Sequence, residues 1–165
     1  MKLLMYPFFL LLIAPCNSSK KAVKTPVETD NTSKVIIIYQ TTPCFGRCPL
    51  YTLTINGETK TATFIGDKHT EKIGTYTKAI SKSELEVFVK AFEDAQFNSL
   101  NDEYLGNITD FPIKYIIYTN NNRTKKIKTR SGAPEALNKL EKTLNAYAVS
   151  EEGWKKTDDA SNSKD

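Results

Sequence analysis

One histidine among 165 residues leaves little room for several common chemistries. A hydrolase triad needs a base beside its nucleophile, and no Gly-x-Ser-x-Gly segment accompanies His69. No glycine loop of the kind that cradles phosphates is present. His69 itself sits in Asp67-Lys68-His69-Thr70-Glu71, a polar stretch that predicts a solvated turn rather than a ligand. No apolar run reaches the roughly 20 residues that a membrane-crossing helix requires. An excess of one charge is also missing. Residues 35–149 carry 15 basic and 12 acidic side chains, a net of +3. A nucleic-acid surface would show a stronger basic cluster, so no nucleic-acid partner is expected. Apolar residues make up 39% and aromatics 10%, which excludes disorder throughout.

The longest apolar run is Leu3 to Ala14, behind Lys2 and directly ahead of Pro15-Cys16. Its length suits the hydrophobic region of an export signal. Asn17-Ser18-Ser19-Lys20-Lys21 then breaks the run. The pattern resembles a bacterial lipoprotein signal, in which the cysteine becomes the acylated first residue of the mature chain. Pro15 departs from the small residue that such signals carry before the cysteine. The resemblance implies lipidation (palmitate-type acylation) at Cys16. It implies a domain in the cell envelope, anchored to the inner or outer membrane and facing the periplasm. Three cysteines form an odd set, which calls for explanation in an exported protein. With Cys16 acylated, Cys44 and Cys48 remain as a pair where disulfides persist.

Residues 1–16 therefore read as a signal segment and 17–33 as a flexible polar tether. Residues 34–149 read as one domain, and 150–165 as a disordered charged tail. Within the domain, Val35 to Tyr39 is a continuous β-branched run, fit for a central strand. Tyr51 to Ile55 alternates apolar and polar, as a half-buried strand does. Asn56-Gly57 predicts a tight hairpin, with a return strand over Thr59 to Ile65. A turn at Gly66-Asp67 leads to a strand near Ile73 to Thr77. Ser81 and Glu84 have capping-box spacing, and Leu85, Phe88, Val89 and Phe92 mark one helix face. After a loop of about 15 residues, Ile113 to Tyr118 and Arg123 to Arg130 form a pair joined at Asn120-Asn121-Asn122. Pro134 suits the first turn of a last helix, lined by Leu137, Leu140, Leu144 and Tyr147. The order ββββαββα predicts an α+β fold of two layers. An antiparallel sheet of about six strands carries both helices on one face.

The distinctive segment is Thr42-Pro43-Cys44-Phe45-Gly46-Arg47-Cys48-Pro49-Leu50-Tyr51. It resembles an uncharacterised bacterial family of Bacteroidetes-type lipoproteins, the domain of unknown function 6438. Cys44, Gly46, Cys48, Pro49 and Tyr51 match its C-x-G-x-C-P-x-Y segment, and Asp110-Phe111-Pro112 matches a later Asp-x-Pro. The resemblance covers roughly residues 34–149. It implies an envelope location and a domain boundary, not a reaction.

Three readings of Cys44 and Cys48 stand open. A structural disulfide would close a five-residue loop and contribute about 2 kcal/mol in the chain-entropy model. It requires Cα atoms about 4.4–6.8 Å apart, so the segment must turn back, and Gly46 offers a turn at positive φ. A redox-active pair is the second reading. The third is a copper or zinc site, because C-x-x-x-C-P is similar to the copper-binding segment of Sco-type envelope proteins. Against both stands the direction of the chain, which runs into a strand and offers no helix start to lower a thiol pKa. Asp102, Glu103 and Asp110 gather in the long loop as a candidate acid site, or as acidity that only keeps the loop soluble. Lys126, Lys128 and Arg130 share one face of their strand. They fit either a guarded sheet edge or contact with anionic headgroups or an acidic envelope partner. No cofactor is expected. The leading expectation is a non-enzymatic binding or structural role, and the alternative is thiol redox or copper handling through Cys44 and Cys48.

Overall fold

The computed structural model describes residues 34–157. Cys16, the signal segment, the tether and residues 158–165 lie outside the described residues. Four strands come first: β1 (Ile36–Thr41), β2 (Leu50–Asn56), β3 (Thr61–Lys68) and β4 (Gly74–Ala79). Helix α1 (Lys82–Asp94), a 3-10 turn at Phe97–Ser99 and the short β5 (Glu103–Tyr104) follow. The chain continues through β6 (Lys114–Asn120), β7 (Arg123–Thr129), α2 (Glu135–Val149) and β8 (Lys155–Lys156).

The strands form one sheet in the order β5-β7-β6-β1-β2-β3-β4-β8. The run Ile36-Ile37-Ile38-Tyr39 lies at its centre, antiparallel to β2 on one side and β6 on the other. Alternation decides which face is buried. Ile37 and Tyr39, Tyr51 and Leu53, Ala62 and Phe64, and Ile116 and Tyr118 all point to one side, where they are buried. Threonine and isoleucine hold the opposite, open face, with Thr54, Thr63 and Thr77 side by side across three strands. Leu85, Phe88 and Phe92 of α1 join Leu137, Leu140 and Leu144 of α2 in the same core. Each such side chain contributes about 1.5–3 kcal/mol by leaving water. The α+β class and the two helices stand as expected, with eight strands rather than six.

Local chemistry explains both the agreements and the shifts. The Ser81 hydroxyl accepts from the Glu84 N–H and the Glu84 carboxylate accepts from the Ser81 N–H, closing the capping box. Asn121 and Asn122 both take positive φ, 48° and 64°, and make the two-residue hairpin between β6 and β7. Asn56-Gly57 does not make one. Asn56 stays in the ladder opposite Thr61, and its Oδ1 accepts the N–H groups of Glu58 and Thr59. The loop therefore spans Gly57 to Lys60, with Lys60 in the left-handed region at φ 52°. Gly66 lies within β3, opposite Gly74, rather than in a turn, and the position needs glycine because a Cβ there would sit 1.8 Å from the Lys72 carbonyl oxygen. The turn falls later, at His69, with φ 54°.

The chain beyond residue 149 also needs correcting. Residues 150–157 are part of the domain rather than a disordered tail. Lys155 and Lys156 pair with Thr77 and Tyr76 of β4, and Trp154 packs edge-on against Phe64 and Tyr147. Among the described residues no helix is long and apolar enough to cross a membrane.

Tyr39, Tyr51, Phe64, Trp154, Tyr147 and Phe88 form a chain of ring contacts beneath the helices. Burial pushes the Tyr147 phenol up to about 12, with Glu84 adding to the shift. Burial raises Tyr118 as well, and carries Tyr39 and Tyr51 far above the usual phenol range. An unfolded tyrosine ionises near pH 10. The stability these neutral phenols confer is whole below about pH 10 and is lost as pH rises through about 12. Denaturant melts across the alkaline range should show that fall, with phenolate absorbance of the buried set appearing only on unfolding. Full phenolate absorbance near pH 10 in a still-folded chain would contradict it.

Candidate functional site

Thr42 to Pro49 connects β1 to β2 and projects beyond the sheet. Its base is clipped at two points. Thr41 Oγ1 donates to the Pro49 carbonyl (2.8 Å) and accepts the Tyr51 N–H (3.0 Å). The Thr42 N–H and hydroxyl both donate to the Ile113 carbonyl at 2.9 Å. Between these clips Cys44 and Cys48 form a disulfide with Cα atoms 5.8 Å apart. An extended segment of four residues would span about 13 Å, so the hoop folds back as its bond requires. Gly46 is not the reason. It does not adopt positive φ, and a Cβ there would meet only the Cys44 sulfur, at 4.0 Å. Phe45 stands at the tip of the hoop, 98% exposed.

Beside the hoop lies a cleft of about 320 Å³. Tyr39 and Thr41 come from β1, Lys114 from β6, and Glu141, Lys142 and Asn145 from α2. Pro49 of the cysteine segment and Phe111-Pro112 of the Asp-x-Pro segment complete it, with Arg130 after β7. Two segments far apart in the chain thus meet at one opening. Glu141 is 5% exposed, and its Oε2 is held by the Lys114 ammonium. Its Oε1 is buried with no partner, as is the Arg130 Nε. The Tyr51 hydroxyl donates to Asn145 Oδ1 at 2.5 Å, tying β2 to α2 beneath the opening. Burial keeps the Tyr39 phenol neutral, with Tyr51 and Glu141 reinforcing the shift. That phenol can donate a hydrogen bond but cannot serve as a base near neutrality.

The three basic side chains expected on one face of the strand each meet a different neighbour. β7 is not a bare edge, because the Lys128 and Arg130 N–H groups donate to the carbonyls of Asp102 and Tyr104 beside β5. Lys126 lies over the Tyr115 ring at 4.3 Å, and Lys128 pairs with Glu103 at 3.5 Å. Arg130 lines the cleft and donates from Nη1 to the Ile108 carbonyl. Each of the three has a partner of its own. The acidic loop residues are likewise separated: Asp102 pairs with Lys125 at 2.5 Å, Glu103 with Lys128, and Asp110 accepts from Thr109.

The pairing of Leu50 with Lys68 carries the turn of His69 to the other shoulder of the hoop, where His69 and Pro49 share a shallow depression. Among the described residues no three His, Cys, Asp or Glu side chains gather as a metal site. Sequence reasoning missed Glu141, Lys114 and Asn145. A signal for Glu141 was present, since it stands four residues after Leu137 and three before Leu144, on the buried stripe of α2.

No curated protein matches the chain. Residues 35–148 match the family model described as a domain of unknown function, DUF6438, and the chain belongs to that family.

Proposed function

We propose that the domain is a non-enzymatic binding module of the bacterial cell envelope, tethered to a membrane through acylated Cys16 and presenting the cleft beside its disulfide hoop. One observation carries the binding reading: Glu141 and Arg130 both line this cleft, and each has a buried polar atom, Glu141 Oε1 and Arg130 Nε, without a partner. Buried polar atoms in a native fold are nearly always satisfied, so such a pair in one opening favours a ligand that satisfies both. The size falls at the small end of ligand sites, about 300–1,000 Å³. The lining residues supply no thiol or imidazole, and the Thr41 hydroxyl is engaged with the Pro49 carbonyl. The disulfide holds the wall at Pro49 in place.

Nuclear magnetic resonance of the labelled protein with a library of small polar fragments tests this reading. Shifts should concentrate at Tyr39, Lys114, Arg130 and Glu141. Hits scattered over the surface, or none at the cleft, would sink it.

A second reading rests on the exposed hoop between β1 and β2: the reduced Cys44 and Cys48 hold copper between their two thiolates. Stoichiometric copper uptake by the reduced protein, lost in a Cys44→Ser, Cys48→Ser variant, would support it. Equal uptake by both would dismiss it.

A further inference from the structure

The charge around the cleft is unbalanced in a way that names a ligand class. Lys114 and Glu141 neutralise each other. Arg130 and Lys142 remain, and neither pairs with a carboxylate among the described residues. Asp110, next to Phe111 in the chain, is engaged with Thr109 and does not line the opening. The cleft is therefore lined by two cations without carboxylate partners, and one of them, the planar guanidinium of Arg130, has an Nε that lacks an acceptor. Glu141, which also lines it, holds one acceptor without a donor, Oε1. An inorganic anion would answer the cations and leave that oxygen unsatisfied. A simple amine would answer the oxygen and meet repulsion from the cations.

A ligand that answers both carries a free carboxylate with an N–H donor close by. A guanidinium takes a carboxylate by its planar fork, whereas an ammonium adds a point charge. Tyr39, Pro49, Phe111 and Pro112 add an apolar wall suited to a small side chain. The volume of about 320 Å³ accommodates one or two residues. Resting on the binding-module reading above, we propose that the cleft recognises the C-terminal end of a short peptide. Arg130 and Lys142 hold its carboxylate, Glu141 Oε1 accepts its amide N–H, and the Phe111 and Pro112 wall receives its terminal side chain.

Isothermal titration of the purified protein with N-acetyl-Ala-Ala, its C-terminal amide and N-acetyl-Ala tests the assignment. The free acid should bind at least about tenfold more tightly than the amide, a difference of about 1.4 kcal/mol. Lys142→Met, a change at an exposed helix position, should weaken the acid at least several-fold without altering the fold. Arg130→Met should weaken it further, and rising salt should do the same. Equal affinity for acid and amide would overturn the proposal, as would undiminished binding in Lys142→Met. N-acetyl-Ala carries the same carboxylate, amide N–H and terminal side chain, so it should bind within a few-fold of the dipeptide; loss of its binding would overturn the assignment of these three contacts to the terminal residue. Fragments that occupy the cleft while the peptide acid does not would remove this ligand class and leave the binding module standing.

Discussion

Replacing Lys114 with methionine should lower the stability of the domain by about 3–5 kcal/mol, because it strands a buried carboxylate. Glu141 lies on the inner stripe of α2 with its side chain 7% exposed, and Lys114 is its sole ion-pair partner among the described residues. Its other oxygen already lacks a hydrogen bond. The lysine is the more forgiving half of the pair, since its side chain is 24% exposed and can turn its ammonium towards water. Glu141→Leu should therefore cost less than Lys114→Met. Combining the two should recover most of the loss, as apolar replacement of a buried pair often does. Urea melts of the two single variants and the double variant give the coupling directly. If Lys114→Met melts within about 0.5 kcal/mol of the parent, Glu141 reaches water and is not the buried carboxylate described above. The double variant also separates stability from recognition, because it should fold well and lose the acceptor that Glu141 supplies.

How much of this was legible in the chain depended on the range of the forces involved. Period-two and period-3.6 patterns act locally, and Tyr51 to Ile55 and Leu85 to Phe92 declared their elements without help from distant residues. The capping box at Ser81 was readable for the same reason. Turn chemistry was half readable. Asn121-Asn122 turned at once, whereas Asn56 was kept in the ladder by its partner Thr61 and pushed the turn onto Lys60. A rule written for two residues cannot see that competition. β5 and β8 are two residues each and have no alternation to show. Their existence depends on carbonyls of Asp102 and Tyr104 meeting β7, and on a tryptophan finding Phe64. Trp154 stands in a charged stretch whose composition argues for a solvated tail, and tertiary packing overrode it. The candidate site was legible only in its parts. Cys44 and Cys48 were paired by elimination and by compartment, and the disulfide is present. That Pro49, Phe111 and Pro112 border one opening with Glu141 follows from β1 lying between β2 and β6, a non-local fact.

Phe64→Ala should be the other severe substitution, at about 3–5 kcal/mol, and it should release the C-terminal edge before it unfolds the rest. Phe64 is fully buried in β3, between Leu53 and Tyr76 on its neighbouring strands. Its ring stacks on Tyr51 at 5.1 Å, meets Trp154 edge-on at 5.9 Å, and has the Lys72 ammonium 5.1 Å from its centre. Truncation removes the transfer energy of the ring and leaves a cavity that a paired strand cannot close by moving. Phe64→Leu keeps most of the volume and should cost less than about 1.5 kcal/mol. The position of Trp154 makes the local consequence measurable, because it is the only tryptophan in the chain. β8 is held by two residue pairs with β4, by the Thr157 N–H and hydroxyl donating to the Thr75 carbonyl, and by this indole. Segments with so few contacts open at low free energy. In Phe64→Ala the indole loses one of its two aromatic neighbours, so its emission should shift towards that of a solvated tryptophan at denaturant concentrations where the far-ultraviolet signal is still native. In Phe64→Leu the two signals should move together. Coincident transitions in Phe64→Ala, with emission unchanged at zero denaturant, would show that Tyr147 and the β4 pairing alone seat Trp154. The edge would then belong to the cooperative core rather than to a separately opening strand.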